Sequence, residues 1–228
     1  MKLSIIIPTL NEEDKLPHLL DAILPHTYTY DEIIVVDADS FDKTVAIANK
    51  KDVRVLISEV KSRAHQMNLG AREAKGDILY FVHADTLPPT TFRDDIKNAT
   101  DRGKVAGCYR FKFDKDTLML RFNAWWTRFN FMFCRGGDQT LFIQKDKFME
   151  IDGFNESYCI MEDFELIRRL KKDKSFYIMP KSVVVSARKY DRNSYFKVNM
   201  VNLWSYWTFQ LGRSPEKIKA FYNRILDY

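Results

Sequence analysis

The sequence predicts an α/β fold: an open, mostly parallel, Rossmann-like sheet in the first half of the chain, a mixed sheet in the second, and helices at the C-terminus. Three observations carry this. Four β-branched runs, at 3–7, 33–37, 53–57 and 78–82, are almost continuously apolar, as strands buried on both faces must be. The segments between them, 12–24, 43–51 and 62–75, space their apolar residues near the helical period, with Asn11, Asp42 and Ser62 as N-caps. No repeat or linker interrupts the 228 residues, a length suited to one core, so the two halves share one sheet or core. The order βαβαβαβ implies right-handed crossovers and places ligands at the carboxyl ends of the strands.

The second half is less regular. Residues 105–113 alternate, with Val105, Gly107, Tyr109, Phe111 and Phe113 on one face of a half-buried strand, and 116–133 reads as an aromatic-rich helix. A strand at 139–144, a helix at 162–172 and a strand at 183–187 follow. Helices at 195–211 and 215–226, joined at Gly212 with Ser214 and Pro215 as cap and first turn, close the chain. This divides the protein into a domain at 1–190, in halves 1–103 and 104–190, with a helical extension at 191–228 packed on it.

Composition narrows the class. Hydrophobic residues at 46% and charged residues at 29% are ordinary for a globular chain and exclude disorder. Cys108, Cys134 and Cys159 have no metal-like spacing and cannot all pair, which suits a reducing cytoplasm. The N-terminal apolar run is too short for a signal-peptide core, and no run reaches the length of a membrane span. The net charge of +5 is too mild to argue for nucleic acid, and no nucleic-acid motif accompanies it. That excess comes entirely from residues 188–228, which are basic and aromatic.

Candidate ligand-binding residues lie where the fold places ligands. Pro8-Thr9-Leu10-Asn11-Glu12 follows the first strand. Asp37-Ala38-Asp39-Ser40-Phe41-Asp42 follows the second, and with Asp42 as a cap, Asp37 and Asp39 remain to meet a nucleobase imide or ribose hydroxyl. No Gly-x-Gly-x-x-Gly or Gly-x-x-x-x-Gly-Lys occurs, so dinucleotide and P-loop readings fail. His83-Ala84-Asp85 ends the fourth strand, where Asp85 suits a divalent cation that takes its remaining ligands from a diphosphate and water. Gly136-Gly137-Asp138-Gln139 precedes a strand, and Glu162-Asp163 opens a helix.

Taken together, Ile6-Ile7-Pro8-Thr9-Leu10-Asn11-Glu12, Val35-Val36-Asp37-Ala38-Asp39-Ser40 with Asp42 and Thr44, residues 76–85 ending in His83-Ala84-Asp85, and Glu162-Asp163 resemble the family 2 inverting glycosyltransferases of the GT-A fold. Arg63-Ala64-His65-Gln66-Met67-Asn68, the His-Ala-Asp and Gly-Asp-Gln triplets and the closing Leu211-Gly212 with Ser214-Pro215-Glu216 look like a small stand-alone bacterial subgroup. The resemblance implies that 1–103 binds a nucleotide-sugar donor and 104–190 an acceptor. Pro8, Thr9 and Glu12 would border the nucleotide, Asp37 would hold uracil or ribose, and Arg63 and Asn68 would line the nucleotide and diphosphate. Asp85 would carry a divalent cation, Mn2+ or Mg2+. Asp138, Gln139 and Glu162 would face sugar or acceptor, with Asp163 as general base. The sequence departs from the family pattern at Ala38 and His83, where acids usually stand, and it lacks the Gln-x-x-Arg-Trp of processive synthases.

The implied reaction moves one sugar, from UDP by resemblance, to an acceptor hydroxyl with inversion. A nucleotidyltransferase would want a Gly-rich, Lys-bearing loop after strand one, and a non-catalytic nucleotide-sugar binder would not want the Glu162-Asp163 pair. The helix at 198–211 has Asn199, Asn202, Ser205 and Thr208 at every third position, leaving a narrow polar stripe beside a wide apolar surface. That surface either packs on the domain or, with Arg213, Lys217, Lys219 and Arg224, lies on an anionic membrane and meets a lipid-linked acceptor. The location expected is the cytoplasm, peripheral to the inner face of the membrane.

Overall fold

The computed structural model describes residues 1–172 and 176–226; Asp227 and Tyr228, part of the basic aromatic tail, lie outside them. The first half runs β1 (Leu3–Thr9), α1 (Leu16–Ile23), β2 (Glu32–Asp37), α2 (Thr44–Asn49), β3 (Arg54–Ile57), α3 (Arg63–Glu73), β4 (Ile78–Phe81), β5 (Thr86–Leu87) and α4 (Phe92–Asp101). The second half runs β6 (Ala106–Phe113), α5 (Leu118–Trp126), β7 (Leu141–Gln144), α6 (Lys145–Glu150), α7 (Glu162–Lys172), β8 (Phe176–Val185), α8 (Lys189–Arg192), α9 (Tyr195–Gln210) and α10 (Pro215–Ile225).

The eight strands among the described residues form one sheet in the order β3-β2-β1-β4-β7-β6-β8-β5. The strands β3, β2, β1 and β4 are parallel, as the alternating pattern predicts. Reversal comes at β7, antiparallel to both β4 and β6, while β6 and β8 run parallel. The short β5, directly after Asp85, crosses to the far edge and pairs antiparallel with β8, Thr86 opposite Val185. One face of the sheet buries Ile5, Ile7, Val35 and Tyr80 against Leu19, Leu20, Phe92 and Ile96. The other buries Ile6, Ile34, Val36, Leu79 and Phe81 against Met67, Ala71, Leu166 and Leu170. Helix α3 lies so close to β1 that a Cβ at Gly70 would stand 2.6 Å from Ile6 Cγ2.

Several sequence expectations change. Helix α1 begins at Leu16, not residue 12, because Asn11 adopts a left-handed backbone (φ 55°) and is spent on the neighbouring loop. β3 is an edge strand and only half-buried, so a β-branched run alone did not mark two-sided burial. β6 is buried on both faces over residues 106–109, Tyr109 lying in the core on one side of the sheet and Ala106 and Cys108 in the core on the other. The aromatic helix stops at Trp126, where Thr127 Oγ1 donates back to Ala124 O at 2.6 Å, and the strand expected at 183–187 is the end of a ten-residue strand that stops at Val185. Helix α6 and strand β5 had no periodic signal long enough to find.

The start of the sheet is pinned by a buried ion pair. Arg93 Nε lies 2.7 Å from Asp31 Oδ2, Asp31 also accepts from the backbone N of Leu3 and Tyr28, and Arg93 Nη2 donates to Met1 O. Arg93→Met strands the buried Asp31 carboxylate and is expected to cost about 3–5 kcal/mol. Urea unfolding reads this as a lower midpoint at unchanged slope; a midpoint equal to wild type would show that the pair holds nothing.

Candidate active site

The carboxyl ends of β1, β2 and β4 open into a crevice, and two layers of polar residues build it. The lower layer holds the loops together. Asp37 is fully buried: Thr9 Oγ1 and Ser40 Oγ each donate to its Oδ2 at 2.7 Å, and Ser40 N donates to Oδ1 at 2.7 Å. Asn11 N donates to Ser40 Oγ, and Phe41 N donates to Asn11 Oδ1, zipping the loop after β1 to the loop after β2. The N-cap of α2 is Lys43 and not Asp42, which lies one residue earlier and accepts from Thr44 N at 2.9 Å and from Glu13 N. Gln66 Nε2, in the first turn of α3, donates to Thr9 O and Val36 O and ties both strand ends to that helix. Ser62 caps α3 as expected.

The upper layer is charged. Asp85 stands beside Arg188, whose Nη2 lies 3.4 Å from Asp85 Oδ2 and 3.2 Å from Glu12 Oε1. Burial raises the Asp85 pKa, Asp138 and Glu12 raise it further, and Arg188 and Arg63 oppose them. His83 is buried, and burial followed by the Arg63 charge lowers its pKa to about 3, with Asp138 opposing, so its imidazole is neutral at physiological pH. Arg63 Nη1 lies 3.3 Å from Glu162 Oε1. Glu162 is buried and Asp163 half-buried at the start of α7, directly after Met161, which adopts φ 66°. A left-handed methionine is strained, and such strain concentrates at functional positions.

The structure thus gathers Glu12, Arg63, Asp85, Asp138 and Glu162, with Asp163 adjoining, from five separated segments. Others of the expected set stand apart. Pro8 is buried within β1 opposite Val36, and Thr9 is occupied with Asp37. Asp37 reaches a base or ribose only through its own hydrogen-bond network; the exposed acid of that loop is Asp39, 3.6 Å from Lys61 Nζ. Asn68 is committed elsewhere: its Nδ2 donates to Phe154 O and Glu156 Oε1, and its Oδ1 accepts from Phe154 N. The amide therefore braces the 153–156 loop and has no donor left for a diphosphate. Gln139 is buried, with its Oε1 3.7 Å from Cys108 Sγ. Arg188 was visible in the sequence only as one of the tail's cations; what places it at the crevice is β8, which ends at Val185 beside Thr86.

Among the described residues no three His, Cys, Asp or Glu side chains gather as a ready metal site. A hard cation that keeps a diphosphate and water needs only one or two protein carboxylates. Asp85 with Asp138 nearby fits that demand, since each negative charge there raises the proton affinity that a cation would relieve.

A doubly covered open sheet with a carboxylate- and arginine-rimmed crevice, and no glycine-rich phosphate loop, defines a GT-A-type fold. Two solved structures share it. The first is Staphylococcus aureus TarS 1–349 in complex with UDP-GlcNAc (18% identity, TM-score 0.65, 82% of this chain and 58% of that one). The second is the mannosyltransferase PcManGT from Pyrobaculum calidifontis in complex with GDP-Man and Mn2+ (21% identity, TM-score 0.64, 89% of this chain and 61% of that one). The sequence model of Glycosyl transferase family 2 matches residues 4–155, and the chain belongs to that family. It is 28% identical over 195 residues to the O-antigen chain rhamnosyltransferase RfbN of Salmonella typhimurium, covering 75% of this chain and 61% of that relative's length.

A carboxyl group whose proton affinity rises on folding leaves the folded chain holding more protons than the unfolded one, so stability falls as pH rises through that window. Asp85 is such a group. Asp85→Asn is therefore expected to melt higher than wild type at pH 7, with the gap closing as pH falls towards the ordinary value of 3.8. Thermal melts across a pH series check this; an equal melting temperature at pH 7 would show Arg188 compensating fully.

Proposed function

We propose that the protein is an inverting, non-processive glycosyltransferase that moves one sugar from a nucleoside-diphosphate sugar, UDP-linked in the first instance, to an acceptor hydroxyl. The observation that supports this most is the position of Arg63, bonded to Glu162 at the acceptor end and felt by His83 and Asp85 at the donor end. One arginine thus spans a diphosphate-type site and a pair of acids. The family match and the UDP-GlcNAc and GDP-Man complexes of the two neighbours point to the same donor class.

In this reading the acceptor oxygen attacks the anomeric carbon as the bond to the diphosphate breaks, and the electron pair leaves with the nucleoside diphosphate. Asp163 takes the acceptor proton, a role typically worth about 10²–10⁴-fold. Glu162, held by Arg63, shapes the acceptor side together with Asp138. Arg188 and Arg63 meet the negative charge that grows on the leaving group, fixed donors of the kind that stabilise a transition state best when water is excluded. Asp85 and Asp138 would hold the divalent cation, Mn2+ or Mg2+, which adds charge neutralisation at the diphosphate. Glu12 borders the nucleotide and shares Arg188 with Asp85. Residues 1–103 serve the donor and 104–190 the acceptor, and the helical extension from residue 191 packs on the second of these through Asn123 and Phe164. The chain works in the cytoplasm on the surface of an anionic membrane, where its acceptor is lipid-linked.

Asp163→Asn is expected to leave donor binding intact and to lower transfer by roughly 10²-fold or more. Turnover near the wild-type rate would move the base to Glu162 or Asp138. A thermal-shift panel of nucleotides with and without Mn2+ identifies the base to use. Calorimetry with that nucleotide should then show a cation enhancement that disappears in Asp85→Ala; an enhancement that persists would refute the assignment of the cation to Asp85.

A further inference from the structure

Helix α9 is inside out for a helix facing water. Ser205 and Thr208, from its polar stripe, are buried, and Asn199 is turned inward to accept from Asn123 Nδ2 of α5 at 2.9 Å. Phe196, Met200, Leu203, Trp207 and Leu211 follow one another at helical spacing on its outer side and are 54–82% exposed. Asn202, the remaining member of the stripe, is exposed, so the stripe turns inward at three of its four positions. Packing does not account for the outer side, because the inner side already packs, Val198 and Val201 on Tyr190, Phe221, Ile225 and Leu226 and Phe209 on Phe164.

A second helix extends the same surface. Leu118, Met119, Phe122 and Trp125 of α5 are exposed, and Leu120 is the only residue of that helix that is buried. A run of ring contacts at 5.9–6.4 Å joins Phe122 to Trp126, Trp126 to Phe133, Phe133 to Tyr206 and Tyr206 to Trp207, so the two helices present one continuous apolar face. Neither helix contains an acid. Cations stand at its margins: Arg128 lies 5.1 Å over Trp125, Arg213 lies 5.7 Å over Trp204, and Leu211, Arg213 and Lys217 line one cavity at the α9–α10 turn.

We infer that the α5/α9 face is a platform that seats the protein in the headgroup region of an anionic lipid bilayer. The inference rests on the proposed function for the lipid-linked acceptor and gives that acceptor's side of the enzyme a definite surface. Exposed tryptophan, phenylalanine and leucine bounded by arginine and lysine match an interface that is apolar below and anionic above. A symmetric contact with a second copy would set the same marginal cations against one another. Crossing is excluded for the described residues, since no helix there is long and apolar enough. The platform also lies against the catalytic end. Phe164, next to Asp163, packs its ring 5.9 Å from Tyr206 and 6.2 Å from Phe209 of α9.

The test uses the full chain with phosphatidylcholine vesicles, with and without phosphatidylglycerol, and with lipids brominated along the acyl chain. The wild type is expected to co-sediment with the anionic vesicles and to have its tryptophan emission quenched by bromine. Met200→Asp/Leu203→Asp, which leaves every tryptophan in place, should reduce partitioning at least tenfold without changing nucleotide binding. Unchanged partitioning in that variant would overturn the platform. So would a loss seen only on Arg213→Glu/Lys217→Glu, which would mean charge alone attaches the chain. Absence of vesicle binding, with a dimer that Met200→Asp/Leu203→Asp splits, would assign the face to a second copy. Failure of the wild type to bind any nucleotide would count against the proposed function and leave the vesicle result standing.

Discussion

Everything at the crevice depends on a charge balance. Glu12, Asp85, Asp138 and Glu162 are drawn to one place by the carboxyl ends of the strands and the loops facing them, and carboxylates so gathered, Glu162 buried and Glu12 and Asp85 half-buried, repel one another unless cations share the space. Arg188 and Arg63 are those cations, the first between Glu12 and Asp85, the second on Glu162. Both come from segments distant in sequence from the acids they meet, so the balance exists only in the completed fold. A ligand that brings its own negative charge, as a diphosphate does, and its own counter-ion can enter without leaving any of these groups unpaired. The neutral imidazole of His83 beneath them adds no charge to the sum.

The layer below is held by hydrogen bonds instead of ion pairs. Asp37 spends both carboxylate oxygens on Thr9 and Ser40, and Gln66 spends its amide protons on two strand carbonyls. These bonds fix where β1 and β2 end, and so fix the floor on which Glu12 and Asp85 stand. Non-glycine residues in left-handed conformation recur around it, at Asn11, Asp39, Thr140 and Met161, each retained although strain there costs free energy.

How much of this the sequence showed depended on the range of the interactions. The parallel half was legible because two-sided burial makes long β-branched runs, and the acids at strand ends were legible because a strand, its turn and its cap lie within about ten residues, a span that local pattern covers. What escaped notice was decided at long range. Asn68 reads as a polar residue on a candidate helix, yet it is used by Phe154 and Glu156, far along the chain. Gln139 is buried beside Cys108, and Arg188 is carried to Asp85 by a strand pairing no local pattern reveals. Which side of α9 turns inward is likewise decided at long range, because periodicity shows that two faces differ and not which one packs.

The pairing of β5 with β8 has a consequence for biosynthesis. Thr86 and Val185 lie at opposite ends of the catalytic region, and loop closure over such a separation is slow. On the ribosome the first four parallel strands can assemble while β8 is still inside the exit tunnel. Asp85 then waits without Arg188 until the last strand docks along the far edge. A chain that ends before β8 therefore leaves Asp85 without its Arg188 neighbour even when the N-terminal half is folded.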